Sequence, residues 1–236
     1  MTKAWLSSHG VDFEVLDVAS DPAALAALRA RGLSTVPAVI VGDQYLTGWN
    51  PQRLAALVGR THEERVPSPE ELIDGLLALL DAALRATRQV PDDCWELQVP
   101  GRSRPLRELV RHLFEVIERG MDADVLGIFP AQQWLPDRDV PALTGAARLA
   151  RYGEAVRAKV ATWYAVREPE RFARVIDADV GPRTLTQVLD RTRHHAAQHL
   201  RQVYALLENS GITPEAPLTL AALRQLGIDQ LPPEVF

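Results

Sequence analysis

The sequence contains one cysteine, two methionines and no long apolar run. Because Cys94 has no partner cysteine, an internal disulfide framework like those of small secreted domains is excluded. The apolar stretch Leu76–Leu84 is interrupted by an aspartate and is far shorter than the roughly 20 residues that cross a bilayer. Met1-Thr2-Lys3 leads into a broken apolar pattern rather than a signal peptide. We therefore expect a cytoplasmic protein with no membrane partner.

Basic residues are outnumbered as well. The 26 Lys and Arg residues face 31 Asp and Glu residues, which gives a formal net charge of −5. Nucleic-acid-binding domains usually carry a clustered basic excess, so we expect no nucleic-acid partner. The hydrophobic content of 47% is sufficient for real cores, and 236 residues correspond to one large or two modest domains.

Helix and strand signals alternate over residues 1–59. Asp21-Pro22 is a typical helix start, with an N-cap followed by proline at the first helical position. Val11–Val18 alternates apolar and polar residues, as a half-buried strand does. The predicted elements in order are a helix over Thr2–His9, the strand Val11–Val18, a helix from Pro22 to Gly32, a hairpin of Val36–Val41 and Gln44–Thr47, and a helix over Pro51–Val58.

This order, with Thr35-Val36-Pro37 entering the hairpin, resembles the α/β thioredoxin fold of glutaredoxins. The stretch Thr47-Gly48-Trp49-Asn50-Pro51 is similar to the Ser-Gly-Phe-x-Pro stretch of NrdH-type redoxins. The resemblance covers roughly the first quarter of the chain. It implies a cis peptide bond before Pro37, the position that faces thiol partners in that family.

The sequence departs from the redoxin pattern at its start. The family begins with a strand followed by Cys-x-x-Cys, whereas this chain begins within the next helix and lacks both. We expect no dithiol exchange by this polypeptide, because the attacking thiolate is absent. Either the start codon has been assigned too late and the motif is encoded upstream of Met1, or the domain has become a docking module. We favour the first explanation, because the remaining residues keep the family pattern.

Residues 68–211 are predicted to form a second, all-α domain after a charged linker at 60–67, with a tail at 212–236. Ser68-Pro69-Glu70-Glu71 is typical of a helix start, as is Thr184 followed by Gln187. Four amphipathic helices in this order imply a four-helix bundle. The apolar loop 124–142 is interpreted as a pocket wall or lid. The predicted helices are Ser68–Val90, Pro105–Ala123, Thr144–Val166 and Thr184–Asn209, with a short helix Leu218–Leu226 in the tail.

Two histidines interrupt the apolar seam of the fourth helix. His195 and His199 are four residues apart, so both imidazoles can bind one metal ion. His112 borders the apolar seam of the second helix. This order of histidines resembles the DinB/YfiT-like four-helix bundles, over about residues 67–210. The resemblance implies that His112, His195 and His199 are metal ligands, and the helical angle turns His194 towards solvent.

Three neutral imidazoles with an open fourth position are typical of catalytic metal sites. We expect zinc, with nickel or iron as alternatives. Such a metal lowers the pKa of bound water to about 7, or holds a bound thiol as thiolate. The resemblance favours the second use, since the family includes transferases that use low-molecular-weight thiols such as mycothiol and bacillithiol. The expected function is a metal-dependent S-transferase with a small-molecule thiol and an electrophile as partners.

The sequence also allows two other functions. The protein is alternatively a metal-dependent hydrolase that uses bound water. It is otherwise a non-catalytic redox- or stress-associated binding protein whose redoxin-like part recruits a partner and whose bundle forms a homodimer. The weaker site candidates are Asp190 and Glu115 as acceptors for ligand imidazoles, three arginines as anion-binding groups, and Cys94 as a nucleophile. The three arginines are Arg111, Arg193 and Arg201.

Overall fold

The chain forms two compact units, Met1–Arg65 and Val66–Phe236. The division falls within the charged stretch that we predict to be a linker. The computed structural model describes residues 2–18, 20–34, 36–48, 50–61, 65–100, 104–129, 145–179, 181–229, 231 and 235–236. Within these residues, no helix combines the length and the apolar character that crossing a membrane requires.

The described part of the first unit contains three short helices and a β-hairpin. Side chains cap two of the helices: Asp21 accepts a hydrogen bond from the backbone of Ala23, and Asn50 from the backbone of Arg53. A small core joins α1 (Thr2–Ser8), β2 (Gln44–Thr47) and α3 (Pro51–Leu57) through Trp5, Leu6, Leu46, Leu54 and Ala55. The elements are α1 (Thr2–Ser8), α2 (Pro22–Ala30), β1 (Ala38–Val41), β2 (Gln44–Thr47) and α3 (Pro51–Leu57).

The strand predicted over Val11–Val18 is wrong. Its residues form no strand, and the side chains of Phe13, Val15 and Leu16 are exposed. Within the described residues, β1 and β2 pair antiparallel with each other, from Ala38 opposite Thr47 to Val41 opposite Gln44, and with no third strand. A strand forms only where a neighbouring strand accepts and donates its backbone hydrogen bonds, so apolar alternation alone is insufficient.

Four long helices pack around the main core of the second unit. α5 (Leu106–Leu126) packs against α7 (Leu185–Asn209) and α6 (Ala146–Ala165), and α4 (Pro69–Gln89) packs against α6 and α7. Gly153 allows the close approach of α6, since a Cβ there would lie 2.5 Å from the Phe114 ring and 2.9 Å from Leu84 Cδ2. The elements are α4 (Pro69–Gln89), α5 (Leu106–Leu126), β3 (Ile128–Phe129), α6 (Ala146–Ala165), β4 (Val175–Ala178), β5 (Gly181–Thr184), α7 (Leu185–Asn209) and α8 (Leu220–Gln225), with 3₁₀ turns at Asp92–Cys94 and Pro169–Ala173.

The starts of α4 and α7 are as predicted. Ser68 and Glu71 form a reciprocal capping box at α4, and Thr184 and Gln187 form one at α7. Thr144, the predicted cap of α6, lies outside the described residues, and the helix begins after Gly145. The loop predicted from residue 124 begins later, because α5 continues to Leu126 and β3 follows. Residues 130–142 of that predicted lid also lie outside the described part of the chain.

A small three-stranded sheet in the second unit is absent from the sequence prediction. β4 and β5 pair antiparallel, and β3 joins β4 in parallel, with Ile128 opposite Asp177. Leu185 N donates a hydrogen bond to Arg174 O, which ties the start of α7 to this sheet. These strands have two to four residues each, too few for alternation to be recognised, and β3 comes from a distant part of the chain.

Candidate metal centre

The structure brings His112, His195 and His199 together between α5 and α7. One ring nitrogen of each residue lies within 4.8 Å of the corresponding nitrogens of the other two. The ring centroids are 4.6 Å apart for His195 and His199, and 4.8 Å apart for His112 and His199. His112 and His199 are buried, whereas His195 is partly buried. The three residues predicted as metal ligands therefore form one cluster, and metal binding by them stays a prediction.

Helix packing explains this convergence. On α5, Leu109 and Leu113 on either side of His112 are buried in the core. On α7, Ala196 follows His195 and Leu200 follows His199, and both of these apolar residues are buried in the core. Because residues four apart share a helix face, the packing of these apolar seams turns the imidazoles towards one another. The site is thus positioned by two long helices rather than by loops.

Hydrogen-bond partners surround the cluster. The Nε2 atoms of His195 and His199 are 2.9 Å apart. His199 Nδ1 lies 2.8 Å from Oε1 of Gln202, one turn further along α7. His112 Nδ1 lies 3.8 Å from a carboxylate oxygen of Glu115, which also pairs with Arg111 and Arg119. Glu115 therefore lies beside one of the imidazoles for which we predict it to be an acceptor. The sequence analysis did not single out Gln202.

Burial keeps the three imidazoles neutral. Burial, together with the neighbouring histidines, lowers the pKa of His199 to about 2 and that of His195 to about 4. Burial also lowers the pKa of His112. Burial alone would raise the pKa of the Glu115 carboxyl, but hydrogen bonding to His112 and the charges of Arg119 and Arg111 hold it below its usual value.

The cluster fits a divalent metal ion. Three neutral nitrogens face one small volume, and imidazole nitrogen is a ligand that zinc, nickel and iron accept. Two of the three rings are buried, and the neutral form that burial favours is the form of imidazole that binds metal ions. A metal ion would satisfy the converging lone pairs of all three rings.

The low pKa values predict that the metal-free protein loses stability below pH 6.5. Unfolded histidines take up protons near pKa 6.5, whereas folded His195 does so only near 4. The unfolded state then binds more protons, so the free energy of unfolding falls by up to about 1.4 kcal/mol per pH unit per histidine. Urea unfolding of chelator-treated protein at pH 7.5 and 5.5 measures this loss. His195→Leu should lose about 1 kcal/mol less than wild type, and equal losses would contradict the prediction.

Pro37 lies in the first unit, where the Val36–Pro37 peptide bond is cis as predicted. Pro37 O accepts a hydrogen bond from Gly48 N at 2.9 Å, which joins the two ends of the hairpin. Thr35 and Trp49, which belong to the motifs on either side, lie outside the described residues. A thiol-facing role for Pro37 stays a prediction.

Several other candidate site residues make contacts that differ from those we predict. His194 is partly buried, not solvent-facing, and its Nδ1 lies 2.9 Å from Asp190 O. The Asp190 carboxylate accepts a hydrogen bond from Arg193 rather than from a ligand imidazole. Arg193 is 1% exposed and therefore lies in the core, and Arg111 forms an ion pair with Glu115. Both contacts differ from the predicted role of these arginines as anion-binding groups. Helical position alone does not distinguish an arginine that binds solvent from one that binds backbone carbonyls.

Comparison with known proteins identifies the first unit. The sequence model of the glutaredoxin family matches residues 1–46. Through its first unit the chain belongs to the glutaredoxin family, which has a thioredoxin-like fold. It is 38% identical over 61 residues to the glutaredoxin-like protein NrdH of Escherichia coli strain K12, and likewise to that of Shigella flexneri. The alignment covers 26% of this chain and 75% of each relative.

Proposed function

We propose that the second unit is a DinB/YfiT-like metal-binding bundle and that the protein is a cytoplasmic, metal-dependent thiol S-transferase. The observation that carries this proposal is the convergence of His112, His195 and His199 between α5 and α7. The glutaredoxin-like first unit supports it, because both units then belong to thiol chemistry. The expected partners are a small-molecule thiol and an electrophile.

The three histidines would hold the ion, with zinc expected and nickel or iron as alternatives. Once bound, the ion supplies the positive charge that keeps a thiol deprotonated near neutral pH, or that activates water in a hydrolase. All three ligands are neutral, so none of them cancels that charge. The positive charges of Arg191 and Arg104 also contribute to the low pKa of His195. The uncancelled charge of a bound ion would favour an anionic ligand at the site.

The proposed transfer is a substitution at carbon. The thiolate sulfur forms a bond to the electrophilic carbon, the leaving group departs with its electron pair, and the thiol proton passes to solvent. The buried apolar residues of α5 and α7 around the histidines exclude bulk water from one side of the site. Exclusion of water strengthens the attraction between the site and an anion.

Metal analysis combined with a screen of thiols tests the proposal. Purified wild type is expected to carry about one metal ion per chain and to consume a thiol and an electrophile together. His112→Ala should lose both the metal and the activity. A metal-loaded protein that hydrolyses esters or amides without a thiol would favour the hydrolase. A metal-free wild type that retains no added zinc would overturn the metal site, and with it the transferase.

A further inference from the structure

We propose that Gln202 is a positioning residue for the metal site, because its side-chain amide selects the tautomer of His199. This inference rests on the proposed metal site. Gln202 and His199 are each 8% exposed, and Gln202 Oε1 lies 2.8 Å from His199 Nδ1. On its other side, Gln202 Nε2 donates a hydrogen bond to Val235 O at 3.1 Å. The amide therefore connects a backbone carbonyl to a ligand imidazole.

Val235 O determines which way the amide points. A carbonyl oxygen only accepts hydrogen bonds, so the group of Gln202 that faces it must be the amide NH₂. The opposite orientation would place two acceptors against each other at hydrogen-bond distance. The Gln202 oxygen is consequently the atom that faces His199.

The amide then selects the tautomer of the imidazole. Because Gln202 presents an acceptor oxygen, His199 Nδ1 must carry the proton. His199 Nε2 is left with its lone pair, and this atom lies 2.9 Å from His195 Nε2, on the side of the cluster. The hydrogen bond also restrains rotation of the ring. Gln202 would thus hold His199 in the only neutral form that can bind the metal through Nε2.

His112 has a carboxylate as its neighbour, whereas His199 has an amide, so the two imidazoles are oriented in different ways. The Glu115 carboxylate near His112 Nδ1 only accepts hydrogen bonds, so it needs no third group to orient it. An amide can turn over and present its NH₂ instead. The bond from Gln202 to Val235 prevents this, and Gln198 Nε2 donates to the same carbonyl at 2.8 Å. Val235 is therefore held by two side chains of α7.

Zinc affinity of three full-length variants tests the inference. Gln202→Leu removes the acceptor, and we expect it to weaken Zn²⁺ binding about tenfold to a hundredfold in competition with a chelator. Gln202→Glu keeps an acceptor oxygen towards His199 but loses the bond to Val235, so its affinity should stay close to that of wild type. Gln198→Leu is the matched control, since it loses a bond to Val235 from the neighbouring turn. Visible absorption of bound Co²⁺ reports the ligand geometry, and circular dichroism reports folding.

The outcomes are distinct. A wild type that binds no zinc overturns the proposed function itself. If wild type binds zinc and Gln202→Leu binds it equally well, the positioning role is wrong. Equal weakening in Gln202→Leu, Gln202→Glu and Gln198→Leu would assign the effect to anchoring of Val235, which also overturns it. Weakening in Gln202→Leu alone, with an altered Co²⁺ spectrum and an unchanged fold, supports the inference.

Discussion

His199→Ala is expected to weaken zinc binding about a hundredfold or more. Zinc-binding free energies of roughly 10–16 kcal/mol are shared among about four ligands, so one ligand contributes about 3 kcal/mol. His199 is the most central of the three, because its ring lies within 5 Å of both other rings. Its loss leaves His112 and His195 with ring centroids 5.6 Å apart. Metal content after gel filtration and chelator competition measure the change.

His194→Ala is the matched control for this experiment. His194 neighbours His195 on α7, is partly buried, and contacts the Asp190 backbone rather than the cluster. Zinc affinity should therefore be unchanged in this variant. Equal zinc affinity in His199→Ala and wild type would remove the cluster from consideration as a metal site. Equal loss in both variants would instead indicate a general effect on α7.

Arg193→Met is expected to lower the free energy of unfolding by about 3–5 kcal/mol. Arg193 is 1% exposed and donates hydrogen bonds to Asp190 Oδ1 at 2.6 Å, Leu226 O at 2.8 Å and Gly227 O at 3.1 Å. The last two carbonyls lie at the end of α8, where a helix leaves carbonyls unpaired. Methionine retains much of the volume, but it leaves both carbonyls and the Asp190 carboxylate without this donor.

Arg88→Ala is the control for charge and side-chain loss at a surface position. Arg88 pairs with Glu154, but the two side chains are 53% and 52% exposed, so this ion pair contributes at most about 1 kcal/mol. Urea unfolding of both variants, in chelator and at neutral pH, gives the comparison. A midpoint for Arg193→Met equal to that of wild type would show that the buried guanidinium does not hold α8 against the bundle.

Local features of the sequence were sufficient to predict several helix starts and the proximity of His195 and His199. Ser68 with Glu71, and Thr184 with Gln187, form capping boxes within four residues, so no distant contact is needed to recognise them. His195 lies near His199 because both are on one helix. The association of His112 with this pair came from a resemblance, and the packing of α5 on α7 places it there.

Contacts between distant residues escaped sequence prediction. Val11–Val18 has the alternation of a strand, but the described residues provide no neighbouring strand, whereas the short β3 and β4 pair because the tertiary fold brings them together. Gln202 and Arg193 look like ordinary polar residues of an amphipathic helix.

The sequence by itself determined which residue types are present and which share a helix face. The tertiary structure decided the hydrogen-bond partners of Gln202 and Arg193, because Val235, Leu226 and Gly227 lie 33 or 34 residues further along the chain. A hydrogen bond depends on what lies opposite a donor, and only packing places Val235 against Gln202 and His112 against His199. The candidate metal centre therefore combines histidines that spacing and resemblance predict with neighbouring polar groups that only the folded chain supplies.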